Sequence, residues 1–260
     1  MPIVQKHDPG TFCWCELGTT DRVAAVAFYT KLFGWSSVDA PMDKDVYTMF
    51  QLQNRDTGAV YAMTAEMLAQ GIPPHWLLYV SVASVDDAVT RINEFGGTVV
   101  MGPFDVMDMG RMAVAKDPQG ATLAVWQPLK HIGIGIQGGH GSFCWPELMT
   151  SDAAAAKRFY GAVFNWGDKT SDIGNHPYTE WQNAGKSLGG MMEIQKEWGP
   201  VPPHWMGYFE VDDCDATVAL AEQLGATIVM PQMEVPTVGR MAQIKDPQGA
   251  HFSVIQLIKK

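Results

Sequence analysis

Shifted by 131 residues, the chain lies on itself: Gly10-Thr11-Phe12-Cys13-Trp14-Cys15-Glu16-Leu17 returns as Gly141-Ser142-Phe143-Cys144-Trp145-Pro146-Glu147-Leu148. Phe28-Tyr29 meets Phe159-Tyr160, Gly34-Trp35 is echoed by Asn165-Trp166, and Pro73-Pro74-His75-Trp76 recurs as Pro202-Pro203-His204-Trp205. Gly110-Arg111-Met112-Ala113 with Lys116-Asp117-Pro118-Gln119-Gly120-Ala121 recurs as Gly239-Arg240-Met241-Ala242 with Lys245-Asp246-Pro247-Gln248-Gly249-Ala250. A length of 260 residues allows one large domain or two ordinary ones. The repeat selects two, spanning 1–130 and 141–260, each of ordinary size. Five glycines from Lys130 to Gly141 inclusive, four of them within residues 131–140, give that segment the composition of an exposed connector.

Each half contains a further repeat, of strand, helix, then strands. Thr11 to Leu17 reads as a strand, and Asp21 to Phe33 as a helix with Val26, Tyr29 and Phe33 at helical spacing, ended by Gly34. Extended segments follow around Tyr47 to Gln53 and Ala59 to Met63. The series restarts with a strand from His75 to Val82 and a helix opened by Ser84, with Asp87 three residues on, and closed by Gly96-Gly97. Strands near Thr98 to Met101, Arg111 to Ala115 and Thr122 to Trp126 complete it, the last two joined by the turn Asp117-Pro118-Gln119-Gly120. The expected fold is α+β: two βαβββ modules per half, at about 10–68 and 73–128, then 141–195 and 202–258, with each pair of sheets enclosing a cup.

Strand alternation assigns faces. Trp76, Leu78, Val80 and Val82 are uniformly apolar and belong against the helix, leaving His75, Leu77, Tyr79 and Ser81 for the cup; His204, Met206, Tyr208 and Glu210 match them. In the opening strand Phe12, Trp14 and Glu16 face inward, as do Phe143, Trp145 and Glu147. The closing strand contributes Thr122, Ala124 and Trp126, then His251, Ser253 and Ile255. Aromatic-rich cups with few polar groups suit a small-molecule pocket, although aromatic residues also serve simply as core between sheets. Glu16, Glu147, His75 and His204 are harder to place, because a buried carboxylate needs a partner; a rim position in water is their plainer alternative. Arg111 and Arg240, beside a glycine, either orient an anionic group at the cup mouth or form surface ion pairs. Sixteen methionines offer an adaptable lining or fill gaps in the core.

Several functions are disfavoured. A formal net charge of -10 without a basic run argues against a phosphate backbone or an anionic membrane surface as partner. Apolar runs such as Trp76 to Val82 are too short to cross a bilayer, and the first eight residues lack a signal peptide's apolar stretch, so a cytoplasmic protein is expected. Four cysteines in so long a chain read as reduced core residues. No phosphate loop and no Gly-x-Ser-x-Gly elbow is present.

The order of these motifs, with Phe28-Tyr29, Leu32-Phe33-Gly34-Trp35, Gly110-Arg111 and Asp117-Pro118-Gln119-Gly120-Ala121 before the last strand, resembles the vicinal-oxygen-chelate superfamily of glyoxalases, bleomycin-resistance proteins and extradiol dioxygenases. The tandem layout is similar to an actinobacterial two-domain subgroup labelled hydroxylases. Metal-using members hold a divalent ion in the cup with His, Gln or Glu side chains. The resemblance puts those positions on Trp14, Leu77 and Ala124, and on Trp145, Met206 and Ser253, so no cofactor is expected. A displaced divalent-metal site built from Glu16 and His75, or from Glu147, His204 and His251, with a fourth ligand near Glu66 or Glu193, is the alternative.

The leading expectation is therefore a metal-independent binder of a small apolar or aromatic molecule, acting as a monomer or homodimer, with the Glu and His pairs as polar handles. The others are a metal-dependent lyase, dioxygenase or hydroxylase, metal-free acid–base catalysis in the cup, and an interaction module whose cups are filled.

Overall fold

The computed structural model describes residues 1–41, 46–173 and 176–258. In the first half the strands are β1 (Phe12–Thr19), β2 (Ser36–Pro41), β3 (Val46–Leu52), β4 (Arg55–Ala62), β5 (His75–Ser81), β6 (Thr98–Val106), β7 (Gly110–Lys116) and β8 (Thr122–Pro128), with helices α1 (Arg22–Phe33), α2 (Ala65–Ala69) and α3 (Val85–Glu94). The second half repeats them as β9 (Phe143–Thr150), β10 (Gly167–Ile173), β11 (His176–Asn183), β12 (Lys186–Glu193), β13 (His204–Glu210), β14 (Thr227–Val235), β15 (Gly239–Lys245) and β16 (His251–Leu257), with α4 (Ala153–Phe164) and α5 (Cys214–Gln223).

Local chemistry places these boundaries. The Asp21 carboxylate accepts from the Ala24 amide at 2.9 Å and opens α1, and Gly34, at φ 69°, closes it. In α4 the same left-handed closing position is taken by Asn165 at φ 59°. Ala25, Phe28, Tyr29, Leu32 and Phe33 are the buried residues of α1, the spacing of one helix face.

The two modules of a domain do not form separate facing sheets. β1 and β5 pair antiparallel, joining both modules into one eight-stranded sheet of order β2-β3-β4-β1-β5-β8-β7-β6, and β9 and β13 do the same in the second domain. Helix α1 packs on one face through Tyr29, whose ring lies 5.3 Å from that of Trp76. On the other face Trp14, Leu77, Tyr79 and Trp126 are each no more than 7% exposed. Side chains this deep on a face opposite the helix require the sheet to curl over itself, and the cup is the face inside that curl.

The helix-bearing faces of the two domains pack against each other by an approximate twofold repeat. Trp76 Nε1 donates to the Tyr29 hydroxyl (3.0 Å), which donates to Asp246 of the other domain (2.9 Å). Trp205, Tyr160 and Asp117 make the reciprocal chain, both bonds 2.9 Å. Trp35 and Trp166 donate across to the carbonyls of Gly141 and Gly10. The Phe-Tyr of each opening helix and the Asp-Pro-Gln-Gly turn of the opposite domain are thus two halves of one interface. Burial raises the pKa of both aspartates, opposed by the turn amides and the tyrosine that bond them.

The connector is not an exposed one. Ile134 and Ile136 are fully buried, Ile134 N donates to the Cys13 carbonyl and Gly135 N to that of Asp56, both at 2.8 Å. Gly133 adopts φ 105°, and a Cβ there would overlap the Cys13 carbonyl, so only glycine lets the segment lie this close to β1.

Candidate functional site

At the floor of the first cup, Glu16 on β1 stands in register with Ala59 on β4 and Leu77 on β5. Its two carboxylate oxygens accept from two tyrosines: Tyr79 on β5 at 2.5 Å and Tyr47 on β3 at 2.7 Å. Trp14 Nε1 donates in turn to the Tyr47 hydroxyl at 3.2 Å. The second cup repeats the arrangement. Glu147 accepts from Tyr208 at 2.8 Å and Tyr178 at 2.9 Å, and Trp145 Nε1 donates to Tyr178 at 2.9 Å. Tyr47 and Tyr178 must each reach across a neighbouring strand, and the residue crossed is small: Ala59 in one cup, Gly190 in the other. A methyl group at Gly190 would overlap the Tyr178 hydroxyl.

Burial raises the pKa of Glu16 and Glu147, and the two phenolic donors to each oppose that shift. The phenols move up as well, from desolvation and from the carboxylate beside them, so they stay protonated and act as fixed donors. Each cup therefore holds a carboxyl whose charge is supported by hydrogen bonds alone, in an apolar surround. In the second cup Met206, Tyr208, Met241 and Ile255 form a cluster apart from the main core, with Trp145, Cys144, Met230 and Val235 against it.

His75 and His204 lie on the cup faces but do not bond the glutamates. Each Nδ1 sits 2.8 Å from a carbonyl oxygen, of Pro73 and Pro202, which only an N–H can satisfy. In the neutral ring this leaves Nε2 as the lone-pair nitrogen. Burial lowers the pKa of both histidines. His251 is exposed, and desolvation, then the neighbouring Lys245 and His204, lower its pKa.

Two residues assigned to the cups by alternation face elsewhere, and of the two roles open to Arg111 and Arg240 the surface ion pair is the one found. A register shift between Phe12 and Trp14 turns Phe12 to the opposite face, where its ring lies 5.0 Å from Trp205 and 5.5 Å from Trp166. A shift at Tyr208/Phe209 does the same for Phe143, which lies 6.1 Å from Phe209. Arg111 is bound by Asp86 and Asp105, and Arg240 by Asp215 and Glu234, so neither points an unpaired charge into a cup. Glu66 belongs to α2 and Glu193 ends β12, both exposed; the β4 and β12 positions paired with the floor glutamates are Ala59 and Gly190. Conversely, His131 of the connector packs edge-on to Trp14 at 4.7 Å, and its carbonyl accepts from Trp126 Nε1.

The donor set does not match a divalent ion. Both oxygens of each glutamate are engaged by phenols, and Trp14, Leu77, Ala124, Trp145 and Met206, which share the cup faces, offer no ligand for a hard or borderline cation. Among the described residues no group of three or more His, Cys, Asp or Glu side chains is placed to hold a metal. The cysteines are free, and burial raises their thiol pKa values, which suits packing rather than nucleophilic chemistry. No helix among the described residues is long and apolar enough to cross a membrane.

Comparison with known proteins agrees with this architecture. Residues 11–125 match the glyoxalase/bleomycin resistance protein/dioxygenase superfamily and residues 147–255 a glyoxalase-like domain. CFP32 of Mycobacterium tuberculosis, provisionally designated a glyoxylase, is 38% identical over 98% of both chains. The anthracycline biosynthesis protein DnrV of Streptomyces peucetius is 36% identical over 97% of this chain and 95% of that protein. In three dimensions the Mn(II)-bound glyoxalase of Novosphingobium aromaticivorans superposes with a TM-score of 0.65 at 14% identity, covering 96% of this chain and 83% of that one. The 2,3-dioxygenase LapB of Pseudomonas sp. KL28 gives 0.65 at 10% identity, covering 95% and 91%. With its duplicated curled sheets, paired Phe-Tyr and Asp-Pro-Gln-Gly motifs and full-length relatives, the chain belongs to the glyoxalase/bleomycin resistance protein/dioxygenase superfamily.

Proposed function

We propose that this protein binds a small apolar or aromatic molecule in its cups and does so without the metal other members use. The observation that carries this reading is the glutamate held between two tyrosine hydroxyls at the floor of both cups. Such a group gives a flat, mostly apolar ligand one polar anchor: the carboxylate's remaining lone pairs accept from a ligand hydroxyl or amine. Trp14 and Trp145 supply a ring surface beside it, and the methionines of the second cup adapt to its outline. Tyr79, Leu77, Trp126 and His75 line the first cup in this reading, and Tyr208, Met206, His204 and His251 the second. The anthracycline biosynthesis relatives are compatible with a fused aromatic ligand. Because the tandem chain already pairs two domains, a monomer suffices, and the cytoplasm is its expected location.

The neighbouring His204 and His251 favour a second reading, a metal-dependent lyase, dioxygenase or hydroxylase with a displaced centre in the second domain. One experiment separates the two. Untagged protein purified without chelator is analysed for bound elements and screened with planar aromatic compounds by intrinsic fluorescence, beside Trp14→Ala, Trp145→Ala and Glu147→Ala/His204→Ala variants. Binding lost in the tryptophan variants, with no stoichiometric metal, is the expected result. Near-stoichiometric metal that disappears from the double variant overturns it, and unchanged binding in both tryptophan variants refutes the cup assignment.

A further inference from the structure

Two residues beyond Glu147 on β9, Met149 stands in register with Met192 on β12 and with His204 on β13. Register partners lie about 5 Å apart and point to one face of a sheet, so two thioethers and an imidazole form a row across three adjacent strands. The row shares the face of the glutamate floor and lies about 7 Å further along the strand. All three side chains are half-buried. Met191, Met206 and Met241 pack into the core, whereas Met149 and Met192 belong to neither core cluster, so gap filling does not account for them.

The first cup shows how such a row converges. There Gly18 takes the central place, with Tyr61 and His75 as its register partners. A Cβ at Gly18 would lie 2.8 Å from the Tyr61 hydroxyl and 3.3 Å from His75 Cε1, so the flanking side chains lean over the central position from both sides. The second cup puts a thioether at that centre, between a thioether and an imidazole. His204 Nδ1 is held 2.8 Å from the Pro202 carbonyl, which leaves Nε2 as the lone-pair nitrogen. A backbone carbonyl on the far ring nitrogen is the support that metal-bound imidazoles have.

We propose that Met149, Met192 and His204 form a copper(I) site at the rim of the second cup. Neutral thioether and imidazole donors suit a soft monovalent cation and leave a hard divalent one unsatisfied. The first cup is an internal control: His75 makes the same bond to Pro73 as His204 does to Pro202, but Gly18 and Tyr61 supply no sulfur. One ion per chain is therefore expected. The site does not rest on the aromatic-ligand reading, because neither Glu147 nor Trp145 is among its donors. Copper(I) oxidises in air, so the site is loaded under anaerobic conditions rather than sought in protein as purified.

The test is an anaerobic titration of the full-length protein with copper(I) in competition with bathocuproine disulfonate, repeated with Met149→Leu, Met192→Leu, His204→Gln and Cys144→Ser. The leucine variants keep the side-chain volume and remove only the sulfur. Affinity should fall at least tenfold in each of the first three and stay unchanged in Cys144→Ser, which alters the one cysteine that is not fully buried. Silver(I), a soft ion stable in air, gives a second readout on methyl-¹³C-methionine protein: of sixteen methyl signals, the two that vanish in the leucine variants should be the two that move. Two ions per chain, unchanged affinity in the leucine variants, or loss in Cys144→Ser overturns the site. So do silver shifts spread over the exposed Met101, Met107 and Met233 instead. Manganese(II) bound as tightly by the same residues overturns the assignment to a soft ion.

Discussion

Tyr29→Phe removes a single oxygen and tests the interface on which both cups are mounted. That hydroxyl donates to Asp246 at 2.9 Å and accepts from Trp76 at 3.0 Å, with the tyrosine fully buried. Losing a bond to a buried carboxyl costs about 1.5–3 kcal/mol, and stranding the indole N–H costs about 1–3 kcal/mol. The ring remains and no cavity opens, so the total expected is roughly 3–5 kcal/mol. At about 2–4 °C per kcal/mol for larger domains, this lowers the melting temperature by about 6–20 °C. Tyr160→Phe should match it, because Asp117 and Trp205 stand in the same places. Urea unfolding followed by both circular dichroism and tryptophan fluorescence measures the loss. Combining Tyr29→Phe with Asp246→Asn should give less than the sum of the two single losses, as residues in contact do. A loss below about 1 kcal/mol, or full additivity with Asp246→Asn, would mean that the hydroxyl does not bridge the domains and that their packing has been misread.

Three further outcomes follow from the site and its frame. Glu147 has a folded-state pKa raised by burial, so its contribution to stability is fully present below its unfolded value and is lost as pH rises through the folded one. Glu147→Gln removes that titration, and the stability of the variant relative to wild type should therefore climb with pH above about 4.5, the ordinary glutamate value; urea midpoints across pH 4.5–8 that move in parallel for both proteins would refute a buried, raised carboxyl. Gly190→Ala should displace Tyr178 from Glu147 and cost about 1–3 kcal/mol by overpacking, whereas Ala59→Gly, which opens the matching place, leaves the Tyr47 bond intact; an unshifted Tyr178 in a crystal structure of Gly190→Ala would contradict the crossing argument. Gly133→Ala should loosen the connector from β1, seen as faster hydrogen exchange at the Ile134 and Gly135 amides, and unchanged protection would show that the segment does not depend on that backbone geometry.

What could be read in the sequence was what repeats or alternates locally. The repeat fixed two domains; the helix start read at Asp21 and the cap read at Ser84 are both kept, Asp21 itself proving to be a cap. Alternation placed Trp14, Glu16, Leu77 and Tyr79 on one face. It failed at Phe12 and Phe143 because a bulge is a change of phase that composition does not announce. Tyr47 and Tyr178 escaped notice because their strands meet the glutamate only through an intervening strand. A signal was present: in each half a tyrosine follows the inward glutamate by 31 residues (47 minus 16, and 178 minus 147). The Asp-Pro-Gln-Gly turns read correctly as turns, but their second task, accepting a tyrosine 217 residues away in one case, has no local trace.

Duplication explains why the two cups share a floor but not an end. The glutamate, its tyrosines and the tryptophan recur with nearly the same bonds, as expected where one folding unit was copied and each element supports its neighbours. The connector exists between the copies and only there. It lays His131 across Trp14 and Trp126 at one end of the first cup. In the second cup the residue at the place of Trp126 is Ile255, and Trp145 is half-buried where Trp14 is buried. A ligand fitted to the floor of both cups therefore meets different walls at that end, and the first cup should discriminate against longer ligands more strongly than the second. Calorimetry with a short and a long planar aromatic compound checks this. The long compound should occupy one site per chain, lost in Trp145→Ala and kept in Trp14→Ala; two equivalent sites for it would show that His131 does not close the first cup.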